Sequence, residues 1–183
     1  MHAELSAIEQ EFELALVRLH ELRSKVPPDV WKRRPAPERW SPGECVAHLN
    51  LSSASMVPLV QAGIAAARRR GASGPARYRR DFVGWLLWKG LGPGKGFKTK
   101  TIPAWVPSGD RHPDDLVAEF ERWQAQQIAC VRAAEGLPID AVKITSPVDA
   151  RARYNVFAAL SILARHQHRH LWQAEQAARA QTR

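Results

Sequence analysis

Four long stretches of the sequence repeat apolar residues at the three- and four-residue spacing of an α-helix, and this pattern constrains the fold more than any other feature. The stretches cover residues 3–26, 41–67 and 113–135, and the last one begins near Asn155. Between them, no alternation of polar and apolar residues is long enough to indicate a strand ladder. The sequence therefore predicts an all-α protein in which the helices pack as a bundle.

The second helix has the clearest start signal in the chain. Ser41 is suited to cap its first turn, Pro42 to occupy its first position, and Glu44 to complete a capping box with Ser41. His48 then falls in the second turn of the helix. Pro58 lies inside the same apolar run, and we expect it to kink or break the helix because proline removes a backbone hydrogen bond.

An irregular segment, residues 71–113, separates the second and third helices. Within it, residues 82–88 predict a short apolar helix, residues 90–96 a flexible glycine-rich turn, and residues 101–107 an extended segment between two prolines. A chain of 183 residues is suited to one domain with a sizeable core. We therefore expect residues 1–183 to form a single domain that carries this segment as an insert.

Cysteine content and hydropathy indicate where the protein works. Cys45 and Cys130 form neither a disulfide framework nor a metal-ligand motif, and free thiols are typical of a reducing compartment. The amino-terminal residues contain acids throughout and lack the apolar run of a signal peptide. No segment satisfies the length and apolarity that we expect of a bilayer span. These features predict a soluble cytoplasmic protein with no membrane span.

Three histidines are the candidate functional residues. His166 and His170 are four residues apart, so an α-helix places both imidazoles on one face. His48, from the second helix, would complete a set of three neutral nitrogen ligands that leaves coordination positions open, as in catalytic metal sites. The spacing alone also fits histidines that are merely satisfied in a core or exposed, and the glutamate of the metalloprotease motif is absent.

Two short sequence motifs around these histidines resemble motifs of one protein family. Residues 39–44 (RWSPGE), followed by residues 47–49 (AHL), are similar to the "W-S-x-x-E…H-L" start of the second helix in DinB-like proteins. Residues 166–173 (HQHRHLWQ) resemble the "H-x-x-R-H-L-x-Q" segment of their fourth helix. The two motifs lie in the same order as in the family, and the resemblance extends over nearly the whole chain.

The resemblance implies a four-helix bundle with a long crossover between the second and third helices, and a metal ion bound by His48, His166 and His170. Characterised relatives include metal-dependent transferases and isomerases that use a low-molecular-weight thiol such as bacillithiol, mycothiol or glutathione. It thus implies a thiol-dependent transferase, or a related isomerase or hydrolase, acting on a small electrophilic substrate. Because many relatives have no known activity, a non-catalytic, stress-related bundle that binds a metal or a small anion is the alternative.

A divalent cation on three imidazoles is chemically suited to such reactions, because it makes a bound thiol or water easier to deprotonate. Zinc matches the ligands best, and nickel, iron and manganese are alternatives. Glu44 is better explained as a cap than as a group orienting His48, and Cys45 as a small buried residue rather than a fourth ligand. His168 points away from the paired histidines, and we expect it at the surface or just outside the ligand set.

The net charge of +9 arises entirely between residues 68 and 111, while the rest of the chain is balanced. A solvated loop explains this charge most simply. Alternatively, the basic residues form a funnel for an anionic substrate above the metal. The candidates are Arg77, Arg79, Arg80, Lys95, Lys98 and Lys100.

The aromatic residues of the insert raise two further interpretations. Trp85, Trp88 and Trp105 invite a nucleic-acid hypothesis, in which arginines grip phosphates and indoles stack on bases. We disfavour it because the apolar run should instead pack onto the bundle or onto a second subunit of a homodimer. A membrane-surface contact is a further interpretation of the same run, which is too short to anchor the protein alone.

Overall fold

The computed structural model describes residues 1–71, 73–92 and 101–181, and these residues are mostly helical, as predicted. The longest helices have 23, 28, 21 and 24 residues. They are α1 (Ala3–Lys25), α3 (Pro42–Arg69), α5 (Pro113–Ala133) and α6 (Val156–Arg179). Helices α1 and α3 each contact both α5 and α6. This arrangement gives every long helix two long neighbours that cover its apolar face.

A short helix interrupts the predicted loop after α1. Helix α1 ends before Pro27, as expected, but Pro28–Lys32 forms α2 where the sequence predicted no regular structure. Val30 and Trp31 are buried on this turn, with Trp31 only 1% exposed. Burial of a large indole stabilises a helical turn that is too short to be recognised from periodicity.

Helix α3 begins with the predicted capping box. The Glu44 amide donates to Ser41 Oγ at 3.1 Å, and the Ser41 amide donates to Glu44 Oε2 at 2.8 Å. The sequence predicted a kink or a break at Pro58, and the break is wrong, because α3 continues through the proline. Val57 and Val60 beside the proline are each 1% exposed, and this packing outweighs one lost backbone hydrogen bond.

By length and composition alone, α3 is also long and apolar enough to cross a membrane, which corrects the expectation that no segment would pass this test. Half of its most apolar 18-residue window is buried against the rest of the protein. Such burial is typical of the central helix of a soluble protein, which needs the same apolar composition to fill a core.

The described part of the insert contains one helix and one 3-10 turn. The predicted short helix is confirmed as α4 (Phe82–Gly90), which packs against α6. Pro103–Trp105 forms a 3-10 turn, so the prediction of an extended segment there is wrong. Proline fixes φ at a value that suits this turn as well as an extended chain, and the Trp105 amide donates to the Ile102 carbonyl at 2.9 Å. Most of the predicted turn at 90–96 lies outside the described residues.

A small antiparallel sheet precedes the last helix and was not predicted. Strands β1 (Lys143–Thr145) and β2 (Arg153–Asn155) pair with Ile144 opposite Tyr154. Asn155 then caps α6, accepting a hydrogen bond from the Ala158 amide at 2.8 Å, in agreement with the predicted start of this helix. The sheet therefore fixes the point from which α6 crosses the protein.

The apolar core has two halves separated by a polar layer. Along α6, one half ends at Ala164 and the other begins at Leu171. Between these two positions, Gln167 and His170 are buried. Side chains from the other long helices enter the same layer. They are Ser53, His48, Gln124 and Gln127.

Candidate metal centre

The structure brings together the three histidines that the sequence singled out. His48 lies in the second turn of α3, while His166 and His170 lie one turn apart on α6. Each offers one ring nitrogen, and these nitrogens all lie within 4.8 Å of one another. The ring centroid of His170 lies 4.4 Å from that of His48 and 4.5 Å from that of His166. Such a cluster can hold a metal ion between the two helices.

A backbone carbonyl from the insert orients His48. Its Nδ1 lies 2.9 Å from the carbonyl oxygen of Trp105, which can only accept a hydrogen bond. The proton of neutral His48 therefore resides on Nδ1, and Nε2 presents its lone pair to the cluster, 3.2 Å from His166 Nε2. Trp105 is held in turn by Ser55 of α3, whose hydroxyl accepts from the indole Nε1 at 2.9 Å.

All three imidazoles are neutral at neutral pH. Burial lowers the pKa of His48, although the Trp105 carbonyl acts in the opposite direction. Burial, together with His48 and Arg169, lowers the pKa of His166 to about 3. The pKa of His170 falls well below its ordinary value, first through burial and then through the two other histidines. Neutral imidazole is the form that binds metals.

One nitrogen of the cluster lacks a hydrogen bond of normal geometry, although Gln173 lies close enough to His170 to raise its pKa. His170 is 8% exposed, and its Nδ1 makes no hydrogen bond of normal geometry to any described residue. An unpaired polar atom in the interior is costly unless something else satisfies it. His166 is the partly exposed member of the three, so the cluster is accessible on its side. A divalent cation fits a set of neutral donors with one unsatisfied nitrogen.

Two tryptophans flank the cluster. The Trp40 ring centroid lies 4.9 Å from that of His48 and 6.0 Å from that of His170. Trp105 packs edge-on against His48 at 5.9 Å and contacts His166 at 6.3 Å. These indoles surround the imidazoles with apolar surface, which strengthens electrostatic interactions inside the cluster. The sequence had suggested a base-stacking role for Trp105, but in the structure it covers the histidines.

Glu44 is occupied at the start of α3. In addition to its capping bonds, it forms an ion pair with Arg34, whose Nε lies 2.9 Å from Oε2. Burial raises the pKa of Glu44, but the hydrogen bonds from Arg34 and Ser41 outweigh it, so the pKa is lowered overall. The structure therefore supports the capping role, and His48 is oriented by Trp105 instead.

Cys45 and His168 lie outside the cluster. Cys45 is 2% exposed among apolar side chains, and burial raises the pKa of its thiol to about 12, which agrees with the interpretation as a small buried residue. His168 faces α1, where its Nδ1 lies 2.9 Å from Arg18 and its Nε2 lies 2.9 Å from Glu11 Oε2. Neither residue is in position to ligate a metal with the three histidines.

The basic residues of the insert that the structure describes do not lie over the histidine cluster, as the alternative of an anionic-substrate funnel requires. Arg77, Arg79 and Arg80 line a separate cavity beside α1 and α6, and Arg77 is paired with Glu4 at 3.2 Å. This cavity is not lined by any of the three histidines. The remaining candidates, Lys95, Lys98 and Lys100, lie outside the described residues.

A second buried polar cluster was missed from the sequence. The Gln167 side-chain amide donates to Gln124 Oε1 at 2.8 Å and to Gln127 Oε1 at 2.7 Å. Gln127 donates to Ser53 Oγ at 2.8 Å, and Gln124 donates to the Phe12 carbonyl. The only available signal was that both glutamines of α5 lie on its apolar face, and glutamine in an amphipathic helix is usually exposed.

Comparison with known proteins identifies the family. The sequence model of the DinB superfamily matches residues 11–174, which covers most of the chain and includes all three histidines. No curated protein and no solved structure matched. Family membership and the histidine cluster together fit a metal-dependent DinB-like protein. The chain therefore belongs to the DinB superfamily.

Proposed function

We propose that this protein is a metal-dependent transferase that joins a low-molecular-weight thiol to a small electrophilic substrate, with His48, His166 and His170 as the protein ligands of one divalent cation. The convergence of three neutral imidazole nitrogens within 4.8 Å of one another carries this proposal. Zinc is the cation that three imidazoles favour most, and nickel, iron and manganese are alternatives.

A divalent cation bound here would lower the pKa of an approaching thiol, so that the thiol ionises near neutral pH. The protein's own residues supply the remaining features. The Trp105 carbonyl holds His48 in the tautomer that a cation needs. Trp40 and Trp105 pack against the imidazoles and would reduce their contact with solvent, while His166 stays accessible. We place the approach of substrate on the side of His166, since it is the most accessible ligand.

The proposed reaction forms a carbon–sulfur bond. The thiol releases its proton to solvent, its sulfur contributes an electron pair to the electrophilic carbon, and the leaving group departs with the electrons of the bond that breaks. A related isomerase would release the same thiol after rearrangement, and a hydrolase would use water in its place. The thiol would be bacillithiol, mycothiol or glutathione, by similarity to the family.

Charge near the cluster favours an anionic small-molecule substrate. The positive charge of Arg169 lies close enough to lower the pKa of both His166 and His170. Its Nη1 donates to the Gly90 carbonyl at 3.3 Å, which holds the guanidinium near the end of α4. A carboxylate on the thiol or on its partner would be attracted to this charge.

A non-catalytic bundle that holds a metal or a small anion is the second candidate. Among the described residues, no carboxylate completes a cluster with the three histidines, and Glu44 is occupied by Arg34. The site therefore offers no obvious general base from the protein itself. This observation favours a binding role if no turnover is found with any thiol.

We further propose the finer architecture that family resemblance implies. Residues 1–183 would be one cytoplasmic domain, a four-helix bundle in which residues 71–113 form a crossover insert. The mutual contacts of the four long helices support it. A homodimer is supported by α4, which leaves Phe82 75% exposed and Leu86 52% exposed. Sedimentation of the purified protein would distinguish a dimer from a monomer.

The activity test uses protein loaded in turn with zinc, nickel, iron and manganese. Each form is incubated with bacillithiol, mycothiol or glutathione and with 1-chloro-2,4-dinitrobenzene as the electrophile. We expect thioether formation that depends on both metal and thiol. The His166→Ala variant should lose this turnover, because one ligand is removed while α6 remains intact.

His20→Ala is the matched control. His20 lies on α1, is half exposed and pairs with Glu121, so its loss should leave turnover unchanged. Turnover that survives in His166→Ala would contradict the proposed site. Stoichiometric metal without turnover for any thiol would favour the non-catalytic bundle.

A further inference from the structure

A second cavity lies on the other side of α6 from the histidine cluster. It has a volume of about 740 Å³ and lies among α1, α4, α6 and the chain that precedes α4. Ser161, Ala164 and Arg165 of α6 line it. Positions 164 and 166 are two residues apart, which corresponds to about 200° around an α-helix, so they face opposite directions. The cavity is therefore separate from the candidate metal centre.

Two arginines in this cavity share one aromatic ring. The guanidinium carbon of Arg80 lies 4.1 Å from the centroid of Trp88, and that of Arg165 lies 4.2 Å from the same centroid. Arg80 also lies over Phe157 at 5.5 Å. Cation–π contacts stabilise such groups, and they position two like charges around a single indole.

Neither arginine has a counter-ion among the described residues. The Nε atom of each is buried without a hydrogen-bond partner, and neither Arg80 nor Arg165 forms an ion pair with a described acid. Of the other arginines around the cavity, Arg77 pairs with Glu4 at 3.2 Å, Arg18 pairs with Glu175 at 2.8 Å, and Arg79 is exposed. The buried guanidinium nitrogens without a partner in this cavity therefore belong to the two arginines on Trp88.

The proximity of these charges is unfavourable in the absence of an anion. Burial and the neighbouring Arg165 both lower the pKa of Arg80, which reflects the cost of holding the two cations together. A bound anion would reverse this cost, because guanidinium groups bind carboxylate and phosphate through paired N–H donors. The aromatic walls of the cavity would bury an apolar body attached to that anion.

We propose that this cavity is a binding site for a small organic anion, whose carboxylate or phosphate lies against Arg80 and Arg165 and whose aromatic or apolar body packs on Trp85 and Phe157. The site is independent of the metal centre and of the proposed transferase reaction. Trp88 supports both arginines from beneath, and α4 forms the wall that completes the cavity.

Isothermal titration calorimetry on the full chain tests the site, with 1-naphthyl phosphate, 1-naphthoate and the neutral 1-naphthylmethanol as probes. We expect both anions to bind and the alcohol to bind at least about tenfold more weakly, as expected for charge-assisted hydrogen bonds. Arg80→Gln and Arg165→Gln should each weaken anion binding by about tenfold or more. A preference for the phosphate over the carboxylate would identify which anion the site favours.

Arg77→Gln is the matched control, because Arg77 lines the same cavity but is already paired with Glu4. Its affinity for the anions should change by less than about threefold, since exposed ion pairs contribute little. His166→Ala should also leave anion binding unchanged, which separates this site from the metal centre. Circular dichroism of each variant checks folding. The Arg165→Lys variant, which keeps the positive charge, should bind the anions more tightly than Arg165→Gln.

Four results would overturn the inference. The first is equal affinity for the anions and the alcohol, and the second is unchanged anion affinity in Arg80→Gln and Arg165→Gln. The third is no heat of binding up to about 1 mM probe, the weak limit of specific recognition. Loss of anion binding in His166→Ala would instead assign the anions to the metal centre and equally contradict the separate site.

Discussion

Two buried polar clusters share the middle layer of the protein, and they satisfy their polar atoms in different ways. The glutamine cluster, formed by Ser53, Gln124, Gln127 and Gln167, directs each side-chain amide donor to an oxygen within the protein. The histidine cluster, formed by His48, His166 and His170, brings three nitrogens together and leaves His170 Nδ1 without a hydrogen bond of normal geometry.

The difference follows from the chemistry of the side chains. An amide carries donors and an acceptor, so amides can satisfy one another in a chain of hydrogen bonds. Each neutral imidazole has one N–H donor and one nitrogen lone pair, and imidazoles that turn their lone pairs toward a common point leave those acceptors without donors. The glutamine cluster is therefore suited to a structural role, since only Gln167 Oε1 in it lacks a partner. The histidine cluster needs a group from outside the chain.

The largest expected effect is on metal binding. His170→Ala or His166→Ala should abolish stoichiometric binding of a divalent cation, since loss of even an outer partner of a ligand costs about 10–100-fold in affinity. His168→Ala is the matched control on the same helix and should retain the metal. Metal content and far-ultraviolet circular dichroism check both variants. One bound metal ion per chain in the His170→Ala protein would contradict the assignment of His170 as a ligand.

Metal should stabilise the folded protein. A cation that binds only the native state adds about 2.7–4.1 kcal/mol to the free energy of unfolding at 100 to 1,000 times its dissociation constant. Urea unfolding of the wild type with and without zinc measures this difference. The His166→Ala protein should show almost none of it, and an equal gain in that variant would show that zinc binds elsewhere.

The glutamine cluster should affect stability without affecting metal. Gln127→Leu leaves an oxygen of Ser53 and an amide of Gln167 with fewer partners, which should lower the free energy of unfolding by about 1–3 kcal/mol. Metal stoichiometry should remain at the wild-type value. Chemical unfolding and metal analysis check the two outcomes. Loss of metal in this variant would mean that metal binding depends on the glutamine cluster as well as on the histidines.

Of the two clusters, only the histidine cluster should make stability depend on pH near neutrality, and burial of His168, which lowers its pKa, adds to the same dependence. The three histidines have lowered pKa values when folded, so the unfolded chain binds more protons as the pH falls below about 6.5. The free energy of unfolding of the metal-free protein should therefore decrease as the pH falls, by up to about 1.4 kcal/mol per pH unit for each histidine. Replacing His166 with glutamine should make this slope shallower, whereas an unchanged slope would exclude His166 as a contributor.

The smallest expected effect is at Ser55, which positions the indole of Trp105 beside His48. Ser55→Ala should weaken metal binding by about tenfold or less, because it acts through Trp105 and leaves every ligand in place. Competition with a chromophoric chelator measures the change. Loss comparable to that in His166→Ala would mean that the Ser55–Trp105 contact determines the cluster itself.

The sequence predicted the features that depend on local pattern. Helical periodicity located the long helices, and the capping box at Ser41 fixed the start of α3. The spacing of His166 and His170, together with the family motifs around the histidines, identified the three histidines that cluster in the structure. These features succeed because neighbours within a few residues determine them.

Features that depend on distant contacts were missed. The Trp105 carbonyl meets His48 across 57 residues of sequence, and nothing in either segment indicates that contact. Gln124 and Gln127 have a polar composition that is usually exposed, so their burial depends on meeting Gln167 from another helix. Strands β1 and β2 have three residues each, too few for a periodic signal.

X-ray absorption at the metal edge of the purified, metal-loaded protein identifies the atoms that ligate the cation. We expect one divalent cation per chain whose protein ligands are three imidazoles, with light-atom or thiol donors in the remaining positions. The His166→Ala protein should lose this spectrum. A metal held by cysteine or carboxylate ligands from the chain, or by fewer than three imidazoles in the wild type, would contradict the assignment of His48, His166 and His170.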